Sequence, residues 1–266
     1  MVFFLRKNLQ QLNFLVNFSN MKLNPYHFKA QAYALYRWDY ASQALQTIVQ
    51  VCKLNQKHTV LDLGGGTGIL TRRLIKIAGK IIAMEPGWVM LQQARNTTKE
   101  AHLVCGFAEA ISLKSQSVDM ITVAQAIHWF EPQASLREMQ RVLRPQGWLI
   151  LLKNNSLPQN HIKDLNDILT SENGVIFAPS STTPPPFESY FQPGTQQIWH
   201  FTMKYQQDWE AFWGALNSAS FTPLPNHPFY PKFKQAAYAV FTTYAHHGLI
   251  DQEAETELII GKLKRE

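Results

Sequence analysis

The run Val60-Leu61-Asp62-Leu63-Gly64-Gly65-Gly66-Thr67-Gly68 drives an apolar, β-type stretch straight into a turn containing four glycines. Glycine accepts positive φ and leaves its backbone bare, so a ligand can lie against the turn itself. A helix starting just beyond would add free N–H groups for a polar or anionic ligand. Glu85 stands 23 residues after Asp62 (85 − 62), at the end of the next apolar run. In an open α/β sheet, a carboxylate placed there accepts hydrogen bonds from ribose hydroxyls. The dinucleotide pattern Gly-x-Gly-x-x-Gly is not met, because its third glycine would fall on Ile69 or Thr71. A side chain there holds the helix off the strand where a pyrophosphate needs close approach. A nicotinamide-dependent oxidoreductase is therefore the weaker reading, and a tight turn without a ligand is the bland one.

A second group of chemically able residues lies at Ala124-Gln125-Ala126-Ile127-His128-Trp129-Phe130-Glu131. His128 titrates near neutrality, so it suits a general base. A structural histidine bonding a backbone group fits the same position. Trp129 and Phe130 suit either a cation-facing wall or packing under the next helix. Upstream, Tyr33-Ala34-Leu35-Tyr36-Arg37 carries an arginine able to grip a carboxylate bidentately, or simply to sit in solvent.

The elements that must position these groups alternate. Strands are predicted over 59–63, 80–84, 102–105, 118–124 and 147–153, with helices over 69–77, 89–97 and 132–143. Such alternation implies right-handed βαβ crossovers and a mainly parallel sheet. An amphipathic helix is predicted over 33–52, with Leu35, Trp38, Ala41, Leu45, Ile48 and Cys52 on one face. After Lys153 the pattern changes. Residues 180–186, rich in Ser, Thr and Pro, read as an exposed loop. Strand-like 198–205, helical 209–216 and 233–244, and strand-like 255–263 follow. The aromatic residues Trp209, Phe212, Trp213, Phe221, Phe229, Phe233 and Tyr238 suggest a helical cap with its own core. The expected division is an extension over 1–30, a core over about 55–153 within a domain over 31–266, and cap plus last strands over about 158–266.

Composition narrows the class further. The 266 residues carry a formal charge of +6, but the basic residues are scattered, so no nucleic-acid groove is expected. Two cysteines outside any CxxC pattern exclude a disulfide framework and give no metal site. No stretch is long enough to span a membrane. The first twenty residues lack a clean apolar run and a cleavage site, so they make a poor secretory signal. They also lack acidic residues, which fits a transit segment; a start at Met21 fits as well. The expected location is cytoplasmic.

Together the motifs resemble the class I S-adenosylmethionine-dependent methyltransferases over residues 33–153. Asp62-Leu63-Gly64-Gly65-Gly66 is similar to that family's first motif. Ser117-Val118-Asp119-Met120-Ile121 and Leu143-Arg144-Pro145-Gln146-Gly147-Trp148-Leu149 are similar to its entries into strands four and five. The Ala-Gln-Ala-x-His-Trp-Phe stretch and Tyr33-x-x-Tyr36-Arg37 resemble a small-molecule subgroup, the relatives of trans-aconitate and quinone-pathway methyltransferases. The Asn/Asp-Pro-Pro-Tyr/Phe signature of nucleic-acid and glutamine N-methyltransferases is absent after strand four.

The resemblance implies a doubly wound α/β fold with a mostly parallel, seven-stranded sheet, helical cap insertions in the C-terminal half, and an antiparallel final strand. It further implies S-adenosyl-L-methionine as cofactor, a small-molecule methyl acceptor, and no metal. Arg37, Asp62, Gly64, Gly66, Glu85, Pro86, Phe107, Ala108, Glu109 and Gln125 would line the cofactor site, and His128 would be catalytic. Many relatives carry Asp where Phe107 stands, so Glu109 or the backbone of Ala108 would meet the adenine. A methyltransferase-like binding protein without turnover is the alternative from another class. The acceptor, the atom methylated and the oligomeric state are not legible.

Overall fold

The computed structural model describes residues 26–173, 187–220 and 222–265. Phe221, the 180–186 loop, the first twenty residues and Met21 lie outside them. Seven strands form one sheet: β1 (Thr59–Leu63), β2 (Lys80–Glu85), β3 (His102–Cys105), β4 (Val118–Ala124), β5 (Leu143–Ser156), β6 (Gln197–Gln207) and β7 (Ile250–Gly261). Their order is β3-β2-β1-β4-β5-β7-β6. The first five run parallel, and β7 pairs antiparallel with both β5 and β6. From β1 the chain winds outward to β3, then returns to place β4 on the other flank of β1. Between β1 and β4 the order reverses, and open α/β sheets bind ligands in the crevice beyond such a point.

Eight α-helices accompany the described strands: α1 (Tyr26–Tyr36), α2 (Ser42–Cys52), α3 (Thr71–Leu74), α4 (Trp88–Thr97), α5 (Pro132–Val142), α6 (Asn160–Asn173), α7 (Trp209–Asn217) and α8 (Tyr230–Tyr244). Successive side chains of a strand take opposite faces, so β1, β4 and β5 feed two cores. Leu61, Leu63, Ile121, Val123, Leu149 and Leu151 join Met139 and Val142 of α5 on one side. Val60, Met120, Ile150 and Leu152 join Leu45, Ile48 and Cys52 of α2 on the other. Such double-sided burial is why these strands read as near-continuous apolar runs. Edge strand β6 alternates instead between exposed and half-buried residues. A third core, formed by Leu165, Leu169, Phe233, Ala237 and Val240, holds α6 to α8, with Trp209 and Trp213 of α7 against it. Among the described residues, no helix is long and apolar enough to cross a membrane.

Three expectations change. The helix over 33–52 is two helices, and Leu35 from its expected buried face is 64% exposed. Asp39 breaks it: its carboxylate accepts from Arg73 Nη1 at 2.7 Å and from the Tyr40 N–H at 2.8 Å. Ala41 N then donates to Thr256 Oγ1 of β7, turning the chain onto the sheet. The helix after the glycine turn is one short α-helical turn, α3, rather than 69–77. Finally, α1 begins at Tyr26, before the boundary drawn at 31. Lys29 is buried and its ammonium donates to Ala219 O and Thr222 O, both at 2.5 Å, tying α1 to the chain after α7.

Candidate functional site

The carboxyl ends of β1, β2 and β4 open into a cleft whose empty space, open mouth included, is about 940 Å³. Its floor is the glycine turn. The N–H groups of Gly64 and Gly65 both donate to Met84 O on β2, at 2.8 and 3.0 Å. Gly64 has φ +75°, and a Cβ there would lie 2.4 Å from the Cβ of Ala126, so the exits of β1 and β4 touch only because Gly64 is bare. Gly66 has φ +56°, with Met90 Cε at 3.5 Å and Gly64 O at 4.0 Å from its missing Cβ. Its free face belongs to the cleft.

Glu85 ends β2 and is 8% exposed. Its Oε2 accepts the Gly66 N–H at 3.1 Å and its Oε1 the Gly87 N–H at 2.9 Å. Burial raises its pKa, and the two backbone N–H groups oppose that rise. A carboxylate oxygen accepts more than one hydrogen bond, so Glu85 retains capacity toward hydroxyls in the cleft. Pro86, Phe107 and Ala108 also line the cleft.

Asp62 also borders the cleft, but its carboxylate serves the protein. Oδ2 accepts from Thr71 Oγ1 at 2.5 Å and Oδ1 from Thr122 Oγ1 at 2.9 Å. The acid of the first motif therefore fastens β1 to α3 and to β4. Glu109 lines the cleft, while its Oε1 accepts the Glu131 N–H at 2.7 Å. Glu131 in turn caps α5, accepting from Gln133 N and Ala134 N. Glu109 thus orders the loop after β4.

His128 is not brought to the cofactor cleft. Gln125 takes φ +56°, a strained choice for a side-chain-bearing residue. The chain turns there, and Trp129 and Phe130 face the cleft. His128 lines a second cavity, about 660 Å³ of empty space with its open mouth included, together with Lys153, Phe187 and Glu257. Gln125 lines both cavities. Burial, then the nearby Lys153 ammonium, lowers the His128 pKa from 6.5.

Arg37 lies just outside the cleft lining, its guanidinium carbon 5.2 Å from the ring centroid of Tyr33 and 5.6 Å from that of Trp38. Its Nε is buried and has no hydrogen-bond partner among the described residues. Tyr33 itself lines the cleft, as does Tyr40, which is buried. Tyr40 was missed because the break between α1 and α2 that admits it is set by distant Arg73 and Thr256. Thr67 was passed over within the motif. It lines the cleft, and its buried Oγ1 lacks a partner among the described residues.

A bare glycine backbone, a buried acid at the end of β2 and two orphaned polar atoms beside one cleft fit a ligand with ribose, ammonium and carboxylate groups. The sheet order is that of the class I methyltransferase fold. Residues 61–151 match the family described as "Methyltransferase domain". The chain is 38% identical over 129 residues to an uncharacterized methyltransferase of Mycobacterium tuberculosis, covering 48% of this chain and 53% of that protein. It is 32% identical over 140 residues to a malonyl-[acyl-carrier protein] O-methyltransferase of Marinomonas sp., covering 49% and 51%. The chain spans about half the length of these curated relatives. A solved structure of a type II methyltransferase from Anaeromyxobacter dehalogenans, so titled as a candidate, superposes with TM-score 0.60 at 18% identity, covering 85% of this chain and 98% of that one. That likeness bears on the fold.

Proposed function

We propose that the protein transfers a methyl group from S-adenosyl-L-methionine to a small-molecule acceptor. The observation that carries this reading is the linked unit of Gly66 and Glu85 in a cleft that also contains the Thr67 hydroxyl, which has no partner among the described residues. Glu85 would hold the ribose hydroxyls, and the bare backbone of Gly64 and Gly66 would lie along the amino-acid portion. Pro86, Phe107 and Ala108 would flank the adenine, and Arg37, with its unpaired Nε, would meet the carboxylate. When bound, the cofactor supplies an activated methyl group. The chain orients the acceptor, excludes water and, where the acceptor carries a proton, offers neutral His128 to receive it.

Calorimetry tests the reading directly. S-adenosylmethionine and S-adenosylhomocysteine should bind, and NAD should give no heat. Binding of NAD with silence from both sulfur ligands would overturn it. Tight binding with no methyl transferred to any acceptor from a metabolite extract would favour a binding protein on this fold.

A further inference from the structure

The second cavity lies on the β5–β7 side of Gln125 and has an apolar floor that includes Val123, Leu151 and Ile259. Its polar groups sit around Lys153, His128 and Glu257. Lys153 and Glu257 are register partners on neighbouring strands, yet they form no ion pair among the described residues. The Glu257 carboxylate instead gathers with His200 and Glu255 toward β6, their ligating atoms all within 4.8 Å of one another. The Lys153 ammonium is left 6.0 Å from the Phe187 ring centroid, with no hydrogen bond to any described residue. The Lys153 side chain is exposed and not paired with Glu257 of the same cavity, so its ammonium can meet an anion through charge-assisted hydrogen bonds.

The two cavities adjoin at Gln125. Gln125 holds a left-handed backbone, its N–H donates to Leu152 O at 2.9 Å, and its side chain donates to Asn154 O at 2.7 Å. Both anchors lie on β5, so the residue at which the two cavities adjoin is positioned by the sheet.

We propose that the cavity of Val123, Leu151, Ile259, Phe187 and Lys153 is the acceptor site, and that it selects a small molecule with an apolar body and an anionic group read by Lys153. This rests on the methyltransfer reading above. His128 then stands in the acceptor cavity, and the cofactor cleft meets it across Gln125.

The test uses the full chain saturated with S-adenosylhomocysteine, with isoleucine methyl groups labelled for NMR, and benzoate and benzamide as probes. Benzoate should move the Ile127 and Ile259 resonances, both from the second cavity, and leave Ile69 of the cofactor cleft in place. It should bind about tenfold more tightly than the isosteric neutral amide. Lys153→Met should erase that preference, Lys153→Arg should keep it, and both should bind S-adenosylhomocysteine as the parent does. Movement of Ile69 instead, no movement at all, or an unchanged preference in Lys153→Met would overturn the assignment. Failure of S-adenosylhomocysteine to bind before any probe is added would overturn the methyltransfer reading, and this one with it.

Discussion

Glu85 accepts the backbone N–H of Gly66 at 3.1 Å, so the acid ending β2 and the bare turn after β1 form one unit. The contact aligns the acid and fixes the turn before any ligand arrives. Glu85→Ala should therefore weaken S-adenosylhomocysteine binding by roughly 1–3 kcal/mol, the range for losing hydrogen bonds to a charged group. Glu85→Gln should fall between. Gly66→Val should remove binding and also lower the melting temperature, since its added atoms fill the cleft and a β-branched residue is strained at φ +56°. Calorimetry beside thermal melts checks both.

Asp62 should behave as a structural residue. Asp62→Ala leaves the Thr71 and Thr122 hydroxyls without their acceptor inside the core, at about 1–3 kcal/mol each. The expected result is a clear drop in melting temperature, with cofactor affinity of the folded fraction largely kept. A stable Asp62→Ala protein that no longer binds would place the acid at the ligand instead.

His128 should govern acceptor chemistry and not cofactor affinity. His128→Ala is expected to leave S-adenosylhomocysteine binding unchanged and to slow methyl transfer by about 10²–10³ to a proton-bearing acceptor. The base must be neutral to act, and its pKa is lowered from 6.5. The parent enzyme should therefore hold its rate through neutrality and lose it only below that value as pH falls. Persistence of the same acidic limb in His128→Ala would exclude the role.

Glu138 clamps the loop before β4. It accepts from Ile111 N at 2.7 Å and pairs with Arg141, which also donates to Ile111 O and Leu113 O. The Arg141 hydrogen bond is the main cause of a Glu138 pKa below 4.5. Between the folded and unfolded values the unfolded chain binds more protons, so the stabilisation is present above 4.5 and lost as pH falls through the folded pKa. Melting curves across acid pH should show a shallower decline for Glu138→Gln than for the parent.

The glycine turn, its acid, and the parallel α/β class were legible because their causes are local. Positive φ needs glycine, doubly buried strands need continuous apolar residues, and a turn with its acid shows as spacing. The seven strands and the antiparallel final strand were reached only through resemblance, and the strand order was not read from the sequence. The adjacency of Ile127, His128 and Trp129 in the chain says nothing about which cavity each meets. That was decided by the left-handed Gln125, held by Leu152 and Asn154 of β5, which sends Trp129 into the cofactor cleft and His128 into its neighbour. Likewise Asp62 looked like a ligand residue until Thr122, 60 positions away, occupied one of its oxygens. Partners so remote in sequence are chosen by the pairing of β1 with β4, and only the assembled sheet brings them within hydrogen-bond reach.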